Sequence, residues 1–294
     1  MNVKEYFIIL LIVFFFVLAF ILGGVSLIYP WIFVSANILN KLEFPTTFFK
    51  YINLDKHLLE KVSNFFNHKI IYTQKIEKYN FNNKQYIKCL MPHGLIPFNW
   101  FCIMKHYNNK DIPVLSNILF DIPIFSHIIK MYNSVPAEYN KMDNVLSKNK
   151  SIIVYPGGVQ ETFKTSHKKE ILVINKRKGI FHLSLKNGIP LLPMYTFGIS
   201  ELYQKSNFKI PLEKILEKDY DLSWYYGKYN TLFPYKKRLL TIIGNPIYVS
   251  KRNNITDDDI SYLRNKYIIV IKSLFNKWKS EYCERWKNKE LVII

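Results

Sequence analysis

SIIVYPGGVQETF, residues 151–163, runs from a short apolar, β-branched segment straight into Pro-Gly-Gly and then into a polar stretch. An uninterrupted apolar run of that length, bounded by turn residues, reads as a buried strand. Pro156, Gly157 and Gly158 end it in a tight turn. Three other segments have the same character: YIKCL at 86–90, PLLPMYTF at 190–197 and RLLTIIG at 238–244. Between them, IFSHIIKMYN at 124–133, MDNVLSK at 142–148 and GIFHLSLKN at 179–187 read as helices, the last stopped by Gly188. This alternation predicts an α/β domain, a mostly buried sheet flanked by helices. From Asp258 to about Lys279, apolar residues at 260, 263, 267, 268, 271 and 274 form a helical stripe, and aspartates at 257–259 suit a helix N-terminus. Core packing is the favoured use of that stripe, the alternative being a basic amphipathic helix on a membrane surface. No linker or repeat divides residues 41–294, so one domain is expected there.

The N-terminal part differs. From Tyr6 to Asn40 there is no charged residue, a run longer than the roughly 20 residues of one membrane-spanning helix. Gly23, Gly24 and Pro30 interrupt it, which predicts a membrane-embedded helical hairpin over residues 1–40. A cleaved signal peptide fits less well, because the apolar sequence resumes at Val25. The basic segment from Lys41 onward is expected on the cytosolic side of the membrane.

With 49% hydrophobic and 21% charged residues, the chain has ample material for one core, and a disordered protein is excluded. An aromatic content of 16% suits contact with apolar ligands or a bilayer. The net charge of +19 comes largely from dispersed lysines, without a recognised nucleic-acid motif. A basic face toward anionic lipid headgroups accounts for it, and no nucleic-acid partner is expected. Cys89, Cys102 and Cys283 show no CxxC spacing, which argues for a reducing compartment and against a disulfide framework or a metal site.

Three constellations can carry chemistry. In MPHGLIPF at 91–98, His93 follows a strand and precedes Gly94, where α/β enzymes place groups that project from a sheet end. Its near-neutral pKa suits general-base work, the alternative being a turn histidine. In PGGVQE, Gly157 and Gly158 allow backbone N–H groups to approach an anion, and Glu161 is suited to orienting His93 or contacting a hydroxyl. The alternative is a tight turn with a solvated carboxylate. Finally, Lys176, Arg177 and Lys178 fall at a helix start, where an anion is favoured and a guanidinium can grip phosphate; the alternative is a solvated basic cluster.

The ordered set MPHGLIPF, VYPGGVQETF and RKGIFHLSLKNGIPLLPMYTFGISELY resembles the diacylglycerol acyltransferase type 2 family, which includes monoacylglycerol acyltransferases and wax ester synthases. LLTIIGNPIYV and the late helix ending SLFNKWKSEY extend the likeness, which covers about residues 85–282 plus the apolar N-terminus. The resemblance implies a glycerolipid acyltransferase-like fold with a mixed sheet, at the endoplasmic reticulum membrane and lipid droplet surface. It implies transfer of a fatty acyl group from acyl-CoA to the free hydroxyl of diacylglycerol, with a monoacylglycerol or a fatty alcohol as alternative acceptors. His93 is then the base, with Glu161 beside it and Gly94, Gly157 and Gly158 as turn and oxyanion positions. Arg177, Lys178 and Gly179 are the acyl-CoA-binding positions, and acyl-CoA is a co-substrate with no cofactor required. Membrane lipids are expected partners, and a homo-oligomer is left open. The rival from another class is a non-catalytic membrane protein that binds acyl-CoA or lipid. The chain departs from the family in having Met91 where the first histidine of His-Pro-His-Gly is usual, and Ile199 rather than an acidic residue after Phe-Gly. Phe98 also stands at the aspartate position of the HxxxxD pattern of distant phospholipid acyltransferases, so a His-Asp dyad of that kind is excluded.

Overall fold

A mixed seven-stranded sheet organises the chain, in a computed structural model that describes residues 56–73, 84–106, 110–121, 126, 129, 132–164, 169–209 and 223–294. The strands are β1 (Lys69–Tyr72), β2 (Ile87–Met91), β3 (Asp111–Leu115), β4 (Val135–Pro136), β5 (Ser151–Val154), β7 (Leu191–Phe197) and β10 (Leu240–Ile243), in the spatial order β1-β10-β7-β2-β5-β3-β4. Short β6 (Glu170–Leu172) and β11 (Leu291–Ile293) pair with each other, as do β8 (Gln204–Lys209) and β9 (Ser223–Tyr226). β10 runs antiparallel to β7, and the other pairs in the large sheet are parallel. The helices are α1 (Lys56–Phe65), α2 (Phe98–Met104), α3 (Ile118–Asp121), α4 (Tyr139–Ser147), α5 (Val159–Lys164), α6 (Gly179–Asn187) and α7 (Asp257–Tyr282).

Every residue of β2, β5 and β7 is buried, which is why they read as near-continuous apolar runs rather than alternating ones. One face carries Cys89, Met91, Val154, Tyr195 and Phe197 into a core closed by Phe181 and Leu183 of α6 and Tyr267, Ile271 and Phe275 of α7. The other face carries Leu90, Leu192 and Met194 against Trp100 and Ile103 of α2. A further cluster joins Val62 and Phe65 of α1 to Phe98 and Cys102 of α2 and to Phe233. Phe98, at the position where the phospholipid enzymes carry aspartate, is therefore a core residue.

The helix expected from Asp258 is α7, and its start is defined by a capping box in which Thr256 and Asp259 satisfy each other's backbone N–H groups. Its stripe packs into the core as expected, except that Ile268 is only partly buried. Helix 179–187 is found with those limits, Gly188 closing it at a φ of 68°. The helix expected at 142–148 begins earlier, at Tyr139. Most of the segment read as helix at 124–133 lies outside the described residues, as does the hairpin read over residues 1–40. Among the described residues no helix is long and apolar enough to cross a membrane.

Candidate active site

The sheet topology decides what meets at the site. β2 is flanked by β5 and β7, both parallel to it, with Cys89 opposite Val154 and Met91 opposite Tyr195. All three strands therefore end at one edge of the sheet, delivering His93-Gly94, the Pro156-Gly157-Gly158 turn and Gly198 to the same place. Crevices at the carboxyl ends of parallel strands are where α/β folds bind ligands. Gly94 has a φ of 70°, and a Cβ there would lie 2.9 Å from Ile199 Cγ1, so both backbone and space call for glycine.

His93 is half-buried, its ring 4.6 Å from that of Tyr155 between centroids. Its Nδ1 lies 2.8 Å from the Gly94 carbonyl oxygen, which can only accept a hydrogen bond. The proton is accordingly assigned to Nδ1, and Nε2 carries the lone pair. Thr162 Oγ1 sits 3.1 Å from the same Nδ1 and fixes the ring from a second side. Burial holds the imidazole below its ordinary pKa, partly opposed by the Gly94 carbonyl. The ring is therefore neutral near pH 7, with a basic nitrogen directed away from its two anchors.

Glu161 stands next to His93 but meets its main chain rather than its ring. Oε2 accepts the His93 backbone N–H at 3.0 Å, and Oε1 accepts the Val173 N–H at 3.1 Å. It does not orient the imidazole directly, and, being 1% exposed, it is not a solvated carboxylate either. Burial raises its pKa to about 7, against the opposing N–H bonds and the Arg177 charge. A Cβ at residue 157 would overlap this carboxyl group, so the glycine there makes room for the His93 anchor.

The remaining expected residues divide. The Gly158 N–H, expected to face an oxyanion, closes the turn on the Tyr155 carbonyl at 3.0 Å. Arg177 reaches back from the start of α6 to give Nη2 to the Gly157 carbonyl at 2.5 Å and to Gln160 Oε1 at 3.1 Å, tying the third constellation to the second. Lys178 pairs with Asp257 at 2.9 Å, an exposed contact that solvent and salt screen. Gly179 borders open space. Met91 is fully buried, with the Tyr267 hydroxyl donating to its sulfur at 3.7 Å. It belongs to the apolar wall beneath the site. Cys89 is equally buried, and burial pushes its thiol up to about 12, which removes it as a nucleophile.

Sequence reasoning missed Thr162, Tyr155 and Asn99. Asn99 gives Nδ2 to the Pro92 carbonyl at 3.0 Å and accepts the Tyr155 hydroxyl on Oδ1 at 2.7 Å, so it links the residue before His93 to the ring beside it. Each is an ordinary polar residue in a helical or strand-end segment, and only proximity in the fold gives it a role. Glu170 was missed as well. It accepts from Tyr195 at 2.9 Å and Ser200 at 2.6 Å, and it pairs with Lys289 at 2.6 Å in the interior. Those bonds fix β6, which leads to the Val173 N–H that Glu161 accepts.

The sequence profile of the family described as diacylglycerol acyltransferase matches residues 11–293. The chain belongs to the diacylglycerol acyltransferase family. Curated relatives include diacylglycerol O-acyltransferase 2 of Danio rerio, 27% identical over 68% of this chain and 62% of that protein. Another is 2-acylglycerol O-acyltransferase 1 of Mus musculus, 31% identical over 67% of this chain and 66% of that protein. Diacylglycerol O-acyltransferase 2 of Dictyostelium discoideum is 28% identical over 69% and 68%. The matched region thus spans about two thirds of the length of these relatives. The crystal structure of the 1-acyl-sn-glycerophosphate acyltransferase PlsC from Thermotoga maritima aligns with a TM-score of 0.49 at 14% identity, over 92% of this chain and 96% of that one.

Proposed function

We propose that this member of the family transfers a fatty acyl group from acyl-CoA to the free hydroxyl of diacylglycerol, forming triacylglycerol, with His93 as the general base. The chain would work at the endoplasmic reticulum membrane with residues 41–294 on the cytosolic side, and at lipid droplet surfaces. Family membership supports the reaction class. The observation that carries the assignment is the 2.8 Å contact between His93 Nδ1 and the Gly94 carbonyl oxygen, which assigns the proton to Nδ1 and leaves the Nε2 lone pair for a substrate proton.

In this reading Nε2 removes the acceptor hydroxyl proton as its oxygen attacks the thioester carbonyl, a role typically worth about 10²- to 10⁴-fold. The tetrahedral intermediate expels CoA as a thiolate, and the imidazolium then passes its proton to that thiolate or to water, which restores the neutral imidazole. A thiolate is a good enough leaving group to need no separate strong acid. Arg177, with the donors its turn contacts leave over, and Lys178, released from its exposed pair, are suited to the CoA phosphates. No cofactor enters these steps.

A second reading, with a 2-acylglycerol as acceptor, is favoured by the mouse relative of that name at 31% identity. The test is incubation of the purified full chain with labelled acyl-CoA and either acceptor, followed by mass spectrometry of the lipids. His93→Ala should lose product formation by at least about 10²-fold while its circular dichroism stays unchanged. Because burial lowers the His93 pKa, kcat/KM should hold down to about pH 6.5 and fall only below it. A fully active His93→Ala protein overturns the assignment, and bound acyl-CoA without any acyl product favours the non-catalytic rival.

A further inference from the structure

We propose that the loop from Gly227 to Phe233 is a lipid-contacting finger, with Tyr229 at its tip set among anionic headgroups at the bilayer surface. The proposal rests on the membrane reading above and names which part of the described chain meets the lipid.

The loop follows β9 and is closed on itself. The Gly227 N–H reaches the Thr231 carbonyl at 2.6 Å, the Lys228 N–H reaches the Phe233 carbonyl at 2.7 Å, and the Thr231 N–H returns to the Lys228 carbonyl at 3.2 Å. A Cβ at residue 227 would overlap the Phe233 carbonyl oxygen, so this closure requires glycine there. Closure forces the two tip residues into the left-handed region, with φ of 59° at Tyr229 and 56° at Asn230. Asparagine adopts that conformation readily, whereas a bulky aromatic residue is strained in it. Yet Tyr229 is 76% exposed, with Lys228 Nζ 4.6 Å from its ring centroid. A strained aromatic held out into water gains little from its position. At a membrane interface the same ring sits at headgroup level, apolar body inward and hydroxyl outward.

Charge and location agree with this. The stretch SWYYGKYNTLFPYKKR, residues 223–238, interleaves aromatic residues with Lys228, Lys236, Lys237 and Arg238 and contains no acidic residue. Basic residues beside a bilayer are drawn to its anionic headgroups. The root of the loop is fixed to α1, Phe233 lying 5.7 Å from Phe65 between ring centroids. α1 begins at Lys56, so the chain between it and the apolar run that ends at Asn40, even fully extended, spans no more than about 58 Å.

The test places an environment-sensitive nitrobenzoxadiazole label on Tyr229→Cys in a Cys283→Ser background, Cys89 and Cys102 being buried. The control label is on Tyr262→Cys of α7, whose native side chain is 72% exposed. Each full-length protein is reconstituted with phosphatidylcholine vesicles, with or without phosphatidylserine, carrying doxyl-lipid quenchers. The chain should float with the vesicles, and the label at 229 should shift to the blue and be quenched, more strongly with phosphatidylserine and less at high salt, while the label at 262 stays unquenched. A chain that floats while its label at 229 remains unshifted and unquenched refutes the finger and leaves the membrane reading standing. Equal quenching at 229 and 262 also refutes it, and a chain that does not float refutes both.

Discussion

Glu161→Gln separates a carboxylate that holds the site together from one that takes part in the chemistry. The carboxylate accepts the backbone N–H groups of His93 and Val173, one on each oxygen. An amide of the same size accepts only one of them, because its –NH₂ faces the other donor. A buried N–H left in that way costs about 1–3 kcal/mol. Ionisation acts in the opposite direction. Burial raises the Glu161 pKa from 4.5 to about 7, so between those values the folded protein binds more protons than the unfolded chain. Stability from this group is complete below pH 4.5 and is lost as pH rises through about 7, a total of about 3 kcal/mol. Glutamine has no such dependence. The variant should therefore be less stable than the native protein at low pH, and the deficit of about 1–3 kcal/mol should be cancelled or reversed by about pH 8, where the native protein has lost about 3 kcal/mol. Activity should follow a different course. A shift of His93 by about 1 Å lowers kcat by about 10²-fold at both pH values, with KM for acyl-CoA unchanged. Denaturant unfolding in detergent and steady-state kinetics, each at both pH values, measure the two effects. Native kcat in Glu161→Gln, or unfolding curves whose pH dependence matches the native protein, would refute the reasoning.

Two other substitutions test parts of the same structure. Thr162→Val removes one of the two groups at His93 Nδ1 and leaves the Gly94 carbonyl in place, so kcat should fall by only about fivefold, the equivalent of about 1 kcal/mol, in the same acyl-transfer assay. Asp111→Ala takes away the carboxylate 2.6 Å from the buried Lys88 ammonium and should destabilise the fold by about 3–5 kcal/mol. The double variant Lys88→Met/Asp111→Leu should recover most of that loss, and chemical unfolding of both proteins measures the difference.

What the sequence determined by itself is local. Segments whose burial is uniform announced themselves: Ser151–Val154, Leu191–Phe197 and the helix Gly179–Asn187 stand almost where pattern and stop signals put them. The strands it did not reveal are those whose composition is mixed or whose length is small. β3 contains Asp111 and Pro113, and β6 has only three residues and a glutamate. Such segments become strands because a neighbour supplies their hydrogen bonds, and nothing in their own residues announces the neighbour. The same division runs through the site. His93, the glycine turn and Glu161 were legible as residue types at strand ends, and the order of the motifs pointed to the family. That Glu161 grips the His93 backbone, 68 positions away, was decided by the sheet, which sets β2 beside β5 in parallel and brings both strand ends to one edge. Thr162, Tyr155 and Asn99 gained their roles in the same way. Periodicity records how deeply a residue is buried, whereas the identity of its partner depends on strand order, a property of the whole chain that no short stretch contains.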